Sequence, residues 1–198
     1  MGDGGDNSRL KPGLRSALAA VGHALATLPA PGMLIGGMAV IARGVPRVTL
    51  DVDLTIAGGV MPLPELVVAL GSLDLQARID DPIGFAEANH VVLLRHQSSN
   101  VDVDLSIAWL PFEREAIDSA QPVTIADLQI PVARPEDLIV YKAVAFRPQD
   151  QQDIERLLAL YRDDIDLNRV RGLVRQFAEA LEDPERLNEF DRLIRQTT

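Results

Sequence analysis

Two stretches of this chain carry aspartate at alternate positions of an otherwise apolar, β-branched run: RVTLDVDLTIA at residues 47–57 and VDVDLSIA at residues 101–108. Residues two apart on a strand share a face, so each run puts two carboxylates side by side and Val, Leu and Ile on the other face. A helix cannot satisfy that period of two. Any fold of this chain must therefore provide two strands with one apolar face and one face that tolerates paired negative charge. The first run continues the alternation upstream, so a strand over residues 47–57 puts Arg47, Thr49, Asp51 and Asp53 on one polar face.

The remaining elements follow from periodicity and punctuation. LRSALAAVGHALATL repeats leucine and valine at three-to-four spacing and predicts an amphipathic helix, closed by Pro29 and Pro31. GMLIGG predicts a short buried strand ending at Gly36-Gly37, and MAVIARG a short helix directly after it. PLPELVVALGSL reads as a helix with proline near its start, and HVVLLRH as a strand. Residues 97–100 read as a hairpin turn into the second aspartate strand, which makes the two carboxylate strands expected sheet neighbours. Residues 110–119 suggest a helix and residues 123–126 and 128–132 short strands, and a wholly helical part begins near Pro135. The expectation is an α/β (α+β) fold with a mixed β-sheet flanked by helices. It divides into a disordered start at 1–12, a core at 13–133 and a C-terminal helical region at 134–198.

Composition restricts the chemistry. With 198 residues the chain can bury a substantial core, and with no cysteine neither disulfides nor thiolate metal sites are available. A metal site must use oxygen or histidine. His23, His90 and His96 form no ligand spacing and read as surface or structural residues. The formal net charge of -10 argues against a surface that coats nucleic acid, and the arginines from Arg169 to Arg195, interspersed with acids, read as a solvated helical face. No run reaches the length of a membrane span and the polar start lacks the apolar core of a signal peptide, so a cytoplasmic protein without membrane partners is expected.

Paired carboxylates repel unless a cation joins them, and Mg²⁺ commonly takes one or two carboxylates together with substrate phosphates. A calcium EF-hand starting at Asp51 fails, because loop positions six and twelve hold Ile56 and Pro62. Neither GxxxxGK[ST] nor GxGxxG occurs, which removes the P-loop and dinucleotide fingerprints, and no GxSxG elbow is present. Gly36-Gly37, ending a strand and opening a helix, would let backbone N–H groups approach a phosphate; the alternative is a tight turn. Lys142 interrupts LIVYKAVAF, apolar on nearly every side, where an ammonium needs an anionic partner such as a nucleotide phosphate or must snorkel to water. Asp150 and Asp153, early in the next helix, suit helix capping.

Taken together, GGMAVIARGVPRVTLDVDL resembles the signature of the nucleotidyltransferase superfamily: a glycine pair, a short helix, a D-x-D strand and a third acid on a neighbouring strand. The GG form, the R-x-T-x-D-x-D run and IPVARPEDLIVYKAVAFRPQDQQDIERLL resemble the AbiEii-like branch, known for minimal nucleotidyltransferases and for toxins of toxin–antitoxin pairs; the resemblance runs from Met33 to Leu158. It implies the nucleotidyltransferase fold and Mg²⁺-dependent transfer of a nucleoside monophosphate from an NTP such as ATP to an acceptor hydroxyl, with Mn²⁺ as a substitute ion. By the same resemblance Gly36 and Gly37 cradle the triphosphate and Asp51 and Asp53 hold two Mg²⁺ ions. The third acid is Asp104 or Asp102; the spacing to Pro111-Phe112-Glu113 favours Asp104 and leaves Asp102 as an accessory ligand or an exposed strand residue. Arg47, Thr49 and Lys142 would assist nucleotide binding, with Asp150, Asp153 and Arg147 supporting the site. The acceptor is a tRNA end, a protein or a small molecule, and an antitoxin protein is an implied partner. Two rival readings are a metal-dependent glycosyltransferase acting on a nucleotide sugar and a non-catalytic binding module.

Overall fold

The computed structural model describes residues 10–197. Most of the expected disordered start, residues 1–9, lies outside the described residues, and Pro12 already opens the first helix. Prolines mark helix entry throughout: α1 (Pro12–Thr27), α4 (Pro82–Asn89), α5 (Pro111–Asp118), α6 (Pro135–Ala145), α7 (Pro148–Leu160) and α9 (Pro184–Thr197) each begin on one. The first helical residue has no intrahelical partner for its N–H, so proline costs nothing there and its fixed φ favours the turn. The other helices are α2 (Gly36–Ala42), α3 (Leu63–Gly71) and α8 (Leu167–Ala180).

The strands are β1 (Gly32–Ile35), β2 (Val52–Ala57), β3 (Leu75–Ala77), β4 (Val91–His96), β5 (Val101–Ala108), β6 (Gln121–Ile125) and β7 (Leu128–Val132). They form one mixed seven-stranded sheet in the order β3-β4-β5-β2-β1-β7-β6. The two aspartate strands are neighbours, as their patterns predict, and they run parallel. β4 and β5 are the expected hairpin, turning at residues 97–100. Val52, Leu54, Val103 and Leu105 are fully buried, and α1 packs across β2, β5 and β7. The apolar halves of the aspartate runs thus anchor the centre of the sheet, and burial of these side chains at about 25 cal/mol per Å² holds the polar halves in place.

Two expectations need correction. The first aspartate strand begins at Val52, and residues 45–51 have no regular structure. Its upstream alternation has no partner to pair with, because β1 ends at Ile35 opposite Asp53 and β5 joins β2 from Val52. Val48 and Leu50 consequently remain 76% and 68% exposed. Residues 74–89, unassigned from sequence, hold β3 and α4, the latter capped by the Asp81 carboxylate accepting from the Gly84 N–H at 2.9 Å.

The helical part does begin at Pro135, with α6 packed on α2, α7 and α8. Its arginines are not merely solvated. Arg169 bridges buried Asp137 (2.9 Å) and Glu115 (3.2 Å), Arg171 grips Asp191 through two 2.7 Å bonds, and Arg186 donates to the Ala143 and Val144 carbonyls at the end of α6. These guanidiniums tie helices together, which is why they recur there. Among the histidines, His96 is buried with Nδ1 2.7 Å from Ser99 Oγ, and His90 stacks on Trp109 at 4.9 Å.

Candidate active site

The polar residues gather at one end of the central strands. β2 and β5 are paired with Asp53 directly opposite Asp104, so two carboxylates from different strands meet on one face of the sheet. Asp51 lies just before β2 and is held by its neighbour two residues back: Thr49 Oγ1 donates to Asp51 Oδ1 at 2.6 Å. This local bond is an alternative to strand pairing for residues 49–51 and gives Thr49 a positioning role that alternation alone did not reveal.

Gly36 ends β1 with φ +62° and opens α2. A β-carbon there would overlap the Asp53 carboxylate, and one on Gly37 would lie 2.6 Å from Thr49 Oγ1 and 3.1 Å from Arg47 Cζ. The glycine pair is thus needed because Asp53, Thr49 and Arg47 pack directly against the turn. The backbone of α2's first residues is thereby brought against the carboxylates.

Crowding shows in the acid strengths. Burial, then the Asp51 and Asp104 charges, push the Asp53 carboxyl up to about 6, while the Gly37 N–H and the Lys142 ammonium pull it down. Asp104 is also raised, chiefly by burial and further by Asp51 and Asp102, with Arg78 opposing. Asp102 behaves differently. A hydrogen bond from Arg95 holds it below the usual carboxylate range, with Arg78 adding to the effect. Asp51 and Asp104 thus crowd Asp53, whereas Asp102, although its charge reaches Asp104, is itself answered by two arginines.

Those arginines were not singled out from sequence. Arg95 lies on β4 opposite Asp102 and donates Nε at 2.7 Å; the hairpin turn at residues 97–100 carried that signal. Arg78, in the loop after β3, spans both β5 acids, with Nη1 2.8 Å from Asp102 and Nη2 2.5 Å from Asp104. Nothing in the local pattern pointed to it. A cavity of about 400 Å³ opens between Asp51, Asp102, Asp104 and these two arginines.

Behind the glycine turn lies a second network. Lys142 is buried and its Nζ binds Asp150 at 2.9 Å and Asp153 at 3.1 Å. Two buried carboxylates one helix later satisfy the ammonium. Asp153 also binds Arg47 at 2.5 Å, and Asp150 accepts from Arg147 Nε at 2.7 Å and from its backbone N–H at 3.1 Å. Burial alone would raise Asp150, but hydrogen bonds from Arg147 and Lys142 hold it low. Asp150 and Asp153 are therefore the hub that fixes three cations beside Asp51 and Asp53, and the hydrogen bond and charge of Asp150 raise Arg147, with Asp53 and Asp51 adding to the effect.

By donor chemistry the crowded carboxylates suit a hard divalent cation: all oxygen, close together, and strained by repulsion that a cation would relieve. No group of three or more His, Cys, Asp or Glu side chains among the described residues is already gathered as a metal cage. Arg78 occupies one oxygen of Asp104.

Fold and site together define a nucleotidyltransferase-type protein. The family model described as "Nucleotidyl transferase of unknown function (DUF2204)" matches residues 15–193, and the chain belongs to that family. Membership sets the enzyme class as nucleotidyl transfer rather than glycosyl transfer. Among solved structures, the antibiotic-resistance factor ANT(2'')-Ia in solution is similar over 89% of this chain and 95% of its own, with a TM-score of 0.54 at 22% identity. ANT(2'')-Ia in complex with adenylyl-2''-tobramycin matches 84% of this chain and 98% of its own, with a TM-score of 0.54 at 18% identity. An antigenic nucleotidyltransferase-like protein from Paracoccidioides brasiliensis covers 87% and 91%, with a TM-score of 0.52 at 18% identity. At these identities the likeness establishes the shared fold. No curated protein matches the sequence. No helix among the described residues is long and apolar enough to cross a membrane.

Proposed function

We propose that this enzyme transfers a nucleoside monophosphate from an NTP to an acceptor hydroxyl, releasing pyrophosphate, in a Mg²⁺-dependent reaction centred on Asp51, Asp53 and Asp104. The observation that carries this reading is the register of β2 and β5, which sets Asp53 against Asp104 beside a glycine turn with no room for a β-carbon. Asp51 and Asp53 would hold the divalent ions, Mg²⁺ or Mn²⁺, and Asp104 would join them on exchanging Arg78. Such ions, when bound, supply a Lewis acid for the acceptor oxygen and countercharge for the triphosphate.

The chain's own groups do the rest. The backbone N–H groups of Gly36 and Gly37 lie beside Asp53 and suit the phosphates. Lys142, Arg47 and Arg147, fixed by Asp150 and Asp153, supply positive potential at that side of the site; Arg147 is the exposed member. Asp104, facing the acceptor side, accepts the proton as the acceptor oxygen bonds to the α-phosphorus and the bond to the departing pyrophosphate breaks. Asp102, committed to two arginines, stays outside the reacting group.

The test is incubation with each α-labelled NTP, Mg²⁺ and cellular RNA, protein and small-molecule fractions. Label should enter one fraction, and Asp51→Asn, Asp53→Asn and Asp104→Asn should each lower the rate by about 10²-fold or more, while Asp102→Asn keeps kcat within about tenfold. Full activity in Asp53→Asn would overturn the assignment. The AbiEii-like branch and a toxin held by an antitoxin are the finer form of this reading; growth arrest on expression, relieved by the same aspartate variants, is its test.

A further inference from the structure

Resting on that reading, we propose that Arg78 and Arg95 form the acceptor-binding subsite and that the acceptor is a small hydroxyl compound carrying a phosphate group. The sheet order lays the polar groups out in sequence: the glycine turn follows β1, Asp53 is on β2, Asp104 on β5, Arg95 on β4, and Arg78 follows β3 at the edge. Phosphates of the donor belong at the turn. The cavity runs from Asp51 past Asp104 to the two arginines and takes in neither glycine of the turn, so its arginine end is left for the acceptor.

Charge then selects the acceptor. The cavity is lined by three carboxylates and two guanidiniums. Once Asp51 and Asp104 are committed to cations, Arg78 loses its Asp104 partner and only Asp102 remains to offset both arginines. One guanidinium's charge is left over, in a setting where forked N–H donors suit phosphate oxygens. Asn100, at the turn between β4 and β5, adds an amide to the same wall. A polycationic amino sugar would meet that surplus positive charge. A long polyanion would meet a protein of net charge -10 around a cavity of about 400 Å³, which is the size for a small ligand.

Equilibrium dialysis of the full chain, saturated with a non-hydrolysable NTP analogue and Mg²⁺, tests this. The probes are glucose 6-phosphate, glucose, tobramycin and a short single-stranded RNA, against the wild type, Arg95→Gln and Arg78→Gln; binding of the NTP analogue is measured in parallel. Glucose 6-phosphate should bind measurably, at least tenfold tighter than glucose or tobramycin, and either glutamine variant should weaken it at least tenfold while retaining the NTP analogue. Arg95 is partly exposed, and a melting curve for each variant checks that it is folded. Indifference of glucose 6-phosphate binding to both substitutions, with the NTP analogue bound normally, overturns the subsite alone. Tighter binding of tobramycin or of the RNA than of glucose 6-phosphate overturns the acceptor class. Failure of the wild type to bind any NTP analogue overturns nucleotidyl transfer itself, and the subsite with it.

Discussion

Asp53→Asn should make the metal-free protein more stable at neutral pH, although it removes a residue the reaction requires. Asp53 rises from the ordinary 3.8 to about 6 because it is buried and faces Asp51 and Asp104. Between those two values the folded state holds more protons than the unfolded chain, so stability falls as pH rises through that window. A displacement of roughly two pH units corresponds to a ceiling of about 3 kcal/mol. Asparagine keeps an oxygen for the Gly37 N–H but loses the attraction of Lys142, so about 1–2 kcal/mol of gain is expected above pH 6. For a chain of this length that is a rise in Tm of roughly 2–8 °C.

The assay is thermal or urea unfolding of both proteins in chelator across pH 4 to 8, repeated with Mg²⁺. The advantage of the variant should be near zero at about pH 4, grow to about pH 6 and then level off. Mg²⁺ should stabilise the wild type and leave the variant nearly unchanged, since a ligand stabilises only the state that binds it. A variant equal to or weaker than the wild type at pH 7.5, with no pH-dependent difference, would refute the idea that this carboxylate is held against repulsion.

Lys142→Met should cost about 3 kcal/mol or more in urea unfolding, because Asp150 and Asp153 would each keep one arginine but lose the buried ammonium between them. A loss under about 1 kcal/mol would mean that the arginines alone satisfy both acids. Gly36→Ala should destabilise more than Gly59→Ala, since both glycines have positive φ but only Gly36 has Asp53 where the β-carbon would go, whereas nothing lies within 4 Å of Gly59. The Gly59 variant should lose about 1 kcal/mol from backbone strain alone. The excess at Gly36 should shrink in an Asp53→Gly background, which removes the carboxylate together with the Asp53 β-carbon that would lie 2.6 Å away, and an excess that persists there would exclude that side chain as its source.

The sheet and the site were legible to different depths, and the reason is physical. Period-two patterns exposed β2 and β5, since an aspartate every second residue leaves strand as the economical reading, and a hairpin turn with its flanks predicted β4 beside β5. The same pattern over-extended β2 to Arg47, because alternation reports what a residue run can do and not whether a partner strand is present. With β1 ending opposite Asp53, residues 47–51 had none. Lys142 and its partners illustrate an intermediate case. A lysine inside an apolar helix announced that an anion was near, and Asp150 and Asp153 stood in view at the start of the next helix, yet their pairing depended on how sharply α6 turns into α7 at Phe146, in the left-handed region.

The arginines mark the limit. Asp51, Asp53, Asp102 and Asp104 are identical in sequence character, and what separates them is which cation each meets. Arg95 reaches Asp102 through strand register, which can be counted from the hairpin turn, but Arg78 arrives from a loop more than twenty residues upstream and takes hold of both Asp102 and Asp104. A carboxylate with two fixed arginines has its charge answered within the protein. One with a single arginine that must be exchanged, and one packed on a glycine turn against two other acids, do not. The division between Asp102 and the group of Asp51, Asp53 and Asp104 follows from that difference in neutralisation, and so does the assignment of the arginine side of the cleft to a ligand that brings its own negative charge.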